Sequence, residues 1–280
     1  MRTFDKIADI SDYLRLQKEM GRKIGFVPTM GALHDGHLSL MRKAKEENEL
    51  LVVSLFVNPL QFNNPEDLKK YPRNIRRDKN LLEETGCDVL FLPGVSEMYP
   101  EKVTIHYDFG SLEKVMEGAF RPGHFNGVAI VVKKLFDIIG PDKAYFGEKD
   151  FQQLAIIQKL VEMENLTVQI VPCPIVREND GLAMSSRNER LTARERKMAP
   201  FIYQTLTEAE KKIRTMTPGE VKLFVRNKFA DEPDFRLEYF EIADEKELQP
   251  VVNHDKTIGV RGFIAAWLGN VRLIDNMRFI

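Results

Sequence analysis

The sequence predicts an α/β fold: a parallel-sheet domain over residues 1–180, then a smaller α+β domain over residues 181–280 with an antiparallel sheet. Three observations predict it. Strand-like and helix-like segments alternate over the first two-thirds of the chain, the pattern of a parallel sheet with crossover helices. The run Leu50 to Val57 is apolar almost throughout, as in a strand whose sheet is covered on both faces. After about residue 180 the alternation gives way to helices and then three strand-like runs.

Ser11 to Met20 reads as a helix capped by Ser11 and stopped by Gly21. Lys23 to Thr29 reads as a strand, followed by a glycine-bearing turn and a helix through Glu49. Leu50 to Val57 is the next strand, Asn74 to Thr85 a helix and Asp88 to Leu92 a short strand. His124 to Ile139 is helical, Lys143 to Phe146 a strand, Glu148 to Glu164 a helix and Thr167 to Val171 a strand. Thr192 to Met216 is helical, with capping-box spacing from Thr192 to Glu195 and a break at Pro200. Thr217 opens another helix. Phe235 to Ile242, Thr257 to Leu268 and Val271 to Phe279 read as antiparallel strands, the last two joined by a Gly269-Asn270 turn.

The bulk properties bound the function. The chain has 280 residues, 43% apolar and 30% charged, enough to bury a core. Its formal charge of −1 offers no basic field for nucleic acid and no polybasic anchor for a membrane. Neither a signal-peptide core nor an apolar run of transmembrane length is present, so a cytoplasmic protein is expected. Cys87 and Cys173 lack the paired spacing of a zinc site and are expected to be buried thiols.

Ligands of parallel sheets bind outside the carboxyl ends of the strands, so chemistry is expected just after Val27, Val57, Phe146 and Val171. Four clusters lie there. Met30-Gly31-Ala32-Leu33-His34-Asp35-Gly36-His37 joins a strand to a helix, where glycine admits a ligand and helix N–H groups favour an anion. His34 and His37 share one face of a helical turn and can stabilise charge developing on phosphate oxygens; two histidines that cap a loop, or half a metal site, are the alternative, against which the flanking glycines and the strand-turn-helix context weigh. Asn58 and Gln61, after the next strand, suit a neutral polar substrate, although an ordinary polar loop has the same composition. In Gly147-Glu148-Lys149-Asp150, Lys149 can neutralise phosphate and Asp150 can accept from a ribose hydroxyl, with Gln153 one turn on. An acid-rich helix start is the alternative there. Ser185, Ser186 and Arg187 follow an Asn179-Asp180-Gly181 turn and make an adaptable phosphate clamp, or a helix cap with an exposed arginine.

Together these segments resemble the pantothenate synthetase (pantoate–β-alanine ligase) family, over essentially the whole chain. PTMGALHDGH is similar to that family's His-x-Gly-His signature of Rossmann-like adenylyl-transferring enzymes, and MSSRN to its Lys-Met-Ser-Lys-Ser loop. FVNPLQF, YPR, RPGHFNGV and FGEKDFQQL match in the family's order. Asn126 departs, since relatives often carry Asp there.

The resemblance implies an ATP-dependent ligase. Pantoate would attack the α-phosphate of ATP, giving pantoyl adenylate and pyrophosphate; β-alanine would then displace AMP. It implies that Met30 to His37 bind ATP, with His34 and His37 against the phosphates and His37 the catalytic donor. Gly147, Glu148, Lys149 and Asp150 would hold ribose and phosphates, Val176 the adenine region, and Met184, Ser185, Ser186 and Arg187 would close over the phosphates. Gln61 and Gln153 would grip pantoate against a wall that includes Val128 and Val131. Asn58, Tyr71 and Arg121 are candidates for the β-alanine carboxylate. Mg2+ would ride on the ATP phosphates with no protein ligand, and the protein would be a homodimer. From its own composition, polar and proline-bearing, the segment 63–77 is expected to form a lid. The rivals are another nucleotidyltransferase of the superfamily, a regulatory nucleotide-binding module, and a tRNA-charging fragment, which the near-neutral charge disfavours.

Overall fold

The apolar runs and amphipathic segments fold largely where the sequence puts them. The computed structural model describes residues 1–253 and 259–280. In chain order its elements are β1 (Arg2–Phe4), α1 (Ile7–Glu19), β2 (Ile24–Thr29), α2 (Asp35–Glu47), β3 (Leu50–Leu55), α3 (Pro65–Lys70), α4 (Ile75–Glu84), β4 (Val89–Phe91), α5 (Val95–Met98), α6 (Met116–Phe120), α7 (His124–Ile139), β5 (Lys143–Gly147), α8 (Phe151–Met163), β6 (Gln169–Cys173), α9 (Ala193–Met198), α10 (Phe201–Lys212), α11 (Pro218–Ala230), β7 (Phe235–Asp244), β8 (Val260–Leu268) and β9 (Val271–Arg278). The chain divides into two compact units. The first comprises Met1–Phe109, Arg121–Glu148 and Gln153–Pro174, and the second Gly110–Phe120, Lys149–Gln152 and Ile175–Ile280.

In the first unit, among the described residues, six strands form one sheet in the order β1-β4-β3-β2-β5-β6. Every pairing is parallel. All of β3 is buried, which its unbroken apolar sequence requires. From β2 the chain steps outward through β3 to β4, then returns to lay β5 on the other side of β2. That reversal is a topological switch point, and the crevice beyond the ends of β2 and β5 is where such sheets take ligands.

Helix α7 is apolar nearly all round and buried to match. Its Phe136 ring packs edge-on against Phe26 at 6.4 Å and Phe146 at 6.5 Å between centroids. Burying a phenylalanine side chain contributes roughly 1.5–3 kcal/mol, so these rings fix the helix on the sheet. Gly127 sits where α7 meets the turn after β3: a Cβ there would lie 2.3 Å from the Leu60 carbonyl oxygen.

The second unit carries an antiparallel sheet in the order β7-β8-β9. Phe201 of α10, Phe229 of α11 and Phe235 of β7 form a ring cluster with centroids 5.0, 5.1 and 5.7 Å apart. The break at Pro200 separates α9 from α10, and capping boxes start α9 at Thr192 and α11 at Thr217. In the core of this unit Arg272 pairs with Glu117 at 2.6 Å, and Glu117 also accepts from the Tyr239 hydroxyl at 2.9 Å. Glu238 is its second carboxylate, at 2.5 Å. Burial opposes the guanidinium charge, but the two carboxylates outweigh it and hold its pKa above the ordinary value.

Several expectations are corrected. Helix α1 begins at Ile7, so Ser11 is not its cap; Ser11 lies inside the helix and its hydroxyl donates to the Ile138 carbonyl at 3.2 Å. The Glu97 carboxylate does the capping, accepting from the Ile7 N–H at 2.9 Å. The strand expected to Val57 ends at Leu55. The helix expected from Glu148 opens with a 3-10 turn over Glu148–Asp150 and becomes α-helical at Phe151. The start expected for β8 at Thr257 lies outside the described residues. Among the described residues, no helix is long and apolar enough to cross a membrane.

Cys87 and Cys173 are buried as expected, and burial pushes their thiols up to about 12 and about 11. Neither thiol is expected to react with an aromatic disulfide reagent at pH 8 until denaturant is added. Rapid labelling of the native protein would contradict that burial.

Candidate active site

The carboxyl end of β2 turns through two successive left-handed residues, Gly31 at φ 82° and Ala32 at φ 50°. An alanine in this region is strained, so something must hold it there. The holder is Asp78 on α4, 2% exposed. One of its carboxylate oxygens accepts from the Ala32 N–H at 3.0 Å and the other from Leu33 at 2.9 Å. The Thr29 hydroxyl accepts from the Gly31 N–H at 3.3 Å and donates to the Ser54 carbonyl at 2.9 Å. Three backbone amides of this loop therefore bond inside the protein.

Those imidazoles start α2. His34 is the N-cap, its Nδ1 accepting from the Gly36 N–H at 3.1 Å, while His37 Nδ1 accepts from the His34 N–H at 3.4 Å. The ring centroids are 4.0 Å apart. A nitrogen that accepts from backbone carries no proton, so each neutral ring holds its proton on Nε2. The loop thus carries two N–H donors side by side at a helix N-terminus.

After β3, Asn58 and Gln61 are buried at 1% and 8% exposure. Asn58 donates to Gly127 O at 3.0 Å and Gln61 Oε1 at 3.2 Å, and accepts from Leu60 N at 3.2 Å and the Tyr99 hydroxyl at 2.9 Å. It is the fastener of the turn. Gln61 Nε2 lies 3.3 Å from the Met30 sulfur, so the β2 and β3 loops meet at these two residues. The Gln61 carbonyl accepts from His124 Nδ1 at 2.8 Å and from Arg121 at 3.4 Å. Arg121 reaches His124 Nε2 at 3.1 Å, which makes Nε2 the acceptor and Nδ1 the donor. Val128 and Val131 are buried on α7, the helix packed against this turn. Tyr71 is buried edge-on to Phe62 at 5.8 Å between centroids. Gly147 ends β5, the neighbour of β2, Glu148 follows it, and Gln153 lies half-buried on α8.

The remaining candidates belong to the second unit. Lys149 is half-buried and lies 3.7 Å from the exposed Asp150. Val176 and Met184 face each other across a tight hairpin, Met184 N donating to Val176 O at 3.0 Å. Ser185 caps the following 3-10 turn by accepting from Arg187 N at 3.2 Å, and Ser186 is buried. Among the described residues, no group of three or more His, Cys, Asp or Glu side chains is placed to hold a metal. Asn126 accepts from the Tyr107 N–H at 2.9 Å through its side-chain oxygen, a bond that a carboxylate at this position would also make.

Sequence reasoning missed Asp78 and His124. Asp78 looks like one more charge on an amphipathic helix, and the bonded loop lies 46 residues away. His124 sits in a quoted motif, but its bond to Gln61 spans 63 residues.

A parallel sheet whose switch-point strands end in a paired-histidine loop and a Gly-Glu turn defines a Rossmann-like α/β protein. Comparison with known proteins narrows the class. A sequence model of the pantoate-beta-alanine ligase family matches residues 2–278. Pantothenate synthetase of Bacteroides fragilis is 52% identical over 279 residues, covering 100% of this chain and 99% of that protein. The crystal structure of pantothenate synthetase from Thermus thermophilus superposes with a TM-score of 0.93 at 42% identity, covering 100% and 99% of the two chains. Pantoate-beta-alanine ligase from Francisella tularensis, crystallised with beta-gamma ATP and beta-alanine, gives a TM-score of 0.82 at 36% identity, covering 100% and 98%. The chain belongs to the pantoate-beta-alanine ligase family.

Asp78→Asn would turn an N–H donor toward a backbone N–H. Hydrogen bonds to charged groups contribute about 1.5–3 kcal/mol, and a loss of that order is predicted in urea unfolding. An unchanged midpoint would show that the loop holds its shape without the carboxylate.

Proposed function

We propose that this chain condenses pantoate with β-alanine at the expense of ATP, through a pantoyl adenylate, releasing pyrophosphate and AMP. The observation that carries the reading is the His34–His37 pair: two Nε2–H donors at a helix N-terminus, beyond the end of a switch-point strand. Family membership and the relative crystallised with ATP and β-alanine support the same reading.

The reaction asks little covalent work of the protein. Pantoate's carboxylate oxygen attacks the α-phosphorus and the bond to the pyrophosphate oxygen breaks, so negative charge shifts toward the leaving group. Donors fixed in advance stabilise that charge without reorganising. His37 and His34 are the catalytic donors, within the segment Met30 to His37 that binds ATP. Gly147, Glu148 and Asp150 bind the ribose side of the nucleotide and Val176 the adenine. Lys149, with Met184, Ser185, Ser186 and Arg187, binds phosphate. Magnesium enters with the triphosphate as the MgATP substrate.

Gln61 and Gln153 hydrogen-bond pantoate, whose dimethyl carbon packs against the Val128 and Val131 side of α7. The fastening of Gln61 by Asn58, and of its carbonyl by His124 and Arg121, supports a pre-organised pantoate site. Tyr71 and Arg121 are the residues for the β-alanine carboxylate, while Asn58, whose two amide N–H groups bond Gly127 O and Gln61 Oε1, holds the turn beside them. In the second step the amine attacks the acyl carbon and AMP departs. Residues 63–77 act as the lid that keeps water from the adenylate. The reading also includes a cytoplasmic homodimer, and sedimentation would check the dimer.

The test is product analysis: AMP and an amide should form only when ATP, pantoate and β-alanine are all present. His37→Ala should lower kcat by about 10²–10³, the cost of one oxyanion donor. AMP left attached to an acceptor would point to a simple nucleotidyltransferase instead, and near-normal turnover in His37→Ala would remove that residue's role.

A further inference from the structure

Two consecutive residues of β9, Asp275 and Asn276, anchor both segments of the second unit that the proposed function assigns to phosphate. Asp275, 5% exposed, forms a two-pronged pair with Arg177 at 2.6 and 3.0 Å. Arg177 also donates to Gly181 O at 3.0 Å and Asn276 O at 3.2 Å, and its guanidinium lies 4.4 Å from the Tyr203 ring centroid. These bonds fix the hairpin that runs into Ser185–Arg187. The hairpin tip has no room to vary: Gly181 stands at φ 93°, and a Cβ on it would lie 2.0 Å from the Tyr203 ring. Asn188 closes the far side by donating to Ala183 O at 3.0 Å.

Asn276, 2% exposed, serves the other segment. Arg261 donates to its Oδ1 at 2.6 Å, so the opposite end of the amide is the NH2 group. That group donates to the backbone carbonyl of Lys149 at 2.9 Å. A buried amide between a cation and a carbonyl can satisfy both in only one orientation, so its geometry is fixed. We propose that Asn276 is a positioning residue for Lys149: its N–H···O bond to the Lys149 carbonyl sets where the lysine stem begins, and so where the ammonium meets phosphate. This rests on the phosphate-binding role given to Lys149 above.

Asn276→Asp preserves size and the acceptor for Arg261 but replaces the donor facing the Lys149 carbonyl with an oxygen. It is made in the full-length protein and in a Lys149→Ala background, with kcat and KM for ATP read from AMP formation. A positioning role predicts that Asn276→Asp lowers kcat roughly 10- to 100-fold, the scale of an ångström of misplacement, with Lys149 present. It predicts less than about a twofold further effect once Lys149 is alanine, because coupled residues are not additive. Equal factors in both backgrounds, or no loss with Lys149 present, would overturn it. If Asn276→Asp does not fold, Asn276→Ala must show the same non-additivity. Should Lys149→Ala alone leave turnover intact, the phosphate role of Lys149 fails and this inference with it, an outcome distinct from equal factors in an impaired background.

Discussion

The Asp78 carboxylate, bonded to two successive backbone amides of the β2–α2 loop, is the constraint on which the site depends. The loop must reverse direction within a few residues and deliver two imidazoles to the first turn of α2. It does so through left-handed Gly31 and Ala32, a conformation that costs an alanine about 1–2 kcal/mol. A buried carboxylate receiving two N–H groups offsets that strain and gives the loop one shape. The capping role of His34, the tilted packing of His37 against it and the meeting of Met30 with Gln61 all belong to that one shape.

The same economy recurs in each unit: ligand-binding candidates sit on short turns, and buried polar groups from distant elements fasten those turns. His124 and Arg121 do so for the Gln61 carbonyl, and Asp275 and Asn276 for the hairpin and the Lys149 carbonyl, while Asn58 ties its own turn to Gly127 of α7. A reaction that depends on placing donors rather than on a covalent nucleophile needs this kind of rigidity. Such fasteners carry little chemical signature of their own, since they never touch a reacting atom.

That is also why the sequence was legible in some places and opaque in others. Local physics set the apolar β3, the all-round apolar α7, the Pro200 break and the capping boxes at Thr192 and Thr217, and each could be read from neighbours in the chain. The start of α1 could not, because its cap is Glu97, 90 residues away, and not the nearby Ser11. β1 is three residues long, too short for a period to register. Nor does periodicity reveal that Gly110–Phe120 and Lys149–Gln152 pack with the second unit, since bonds such as Glu117 to Arg272 span 155 residues. The motif-bearing loops were visible as candidates because glycine, histidine and serine cluster there; the long-range bonds of Asp78, His124, Asp275 and Asn276 that hold them in place were not.

The most direct test of the account is ATP–pyrophosphate isotope exchange with pantoate present and β-alanine absent. Exchange that requires pantoate, and that falls by about 10²–10³ when His37 is alanine, is the predicted result, since it isolates the adenylate step proposed for the paired imidazoles. Exchange that proceeds equally without pantoate, or that survives the loss of His37, would contradict it.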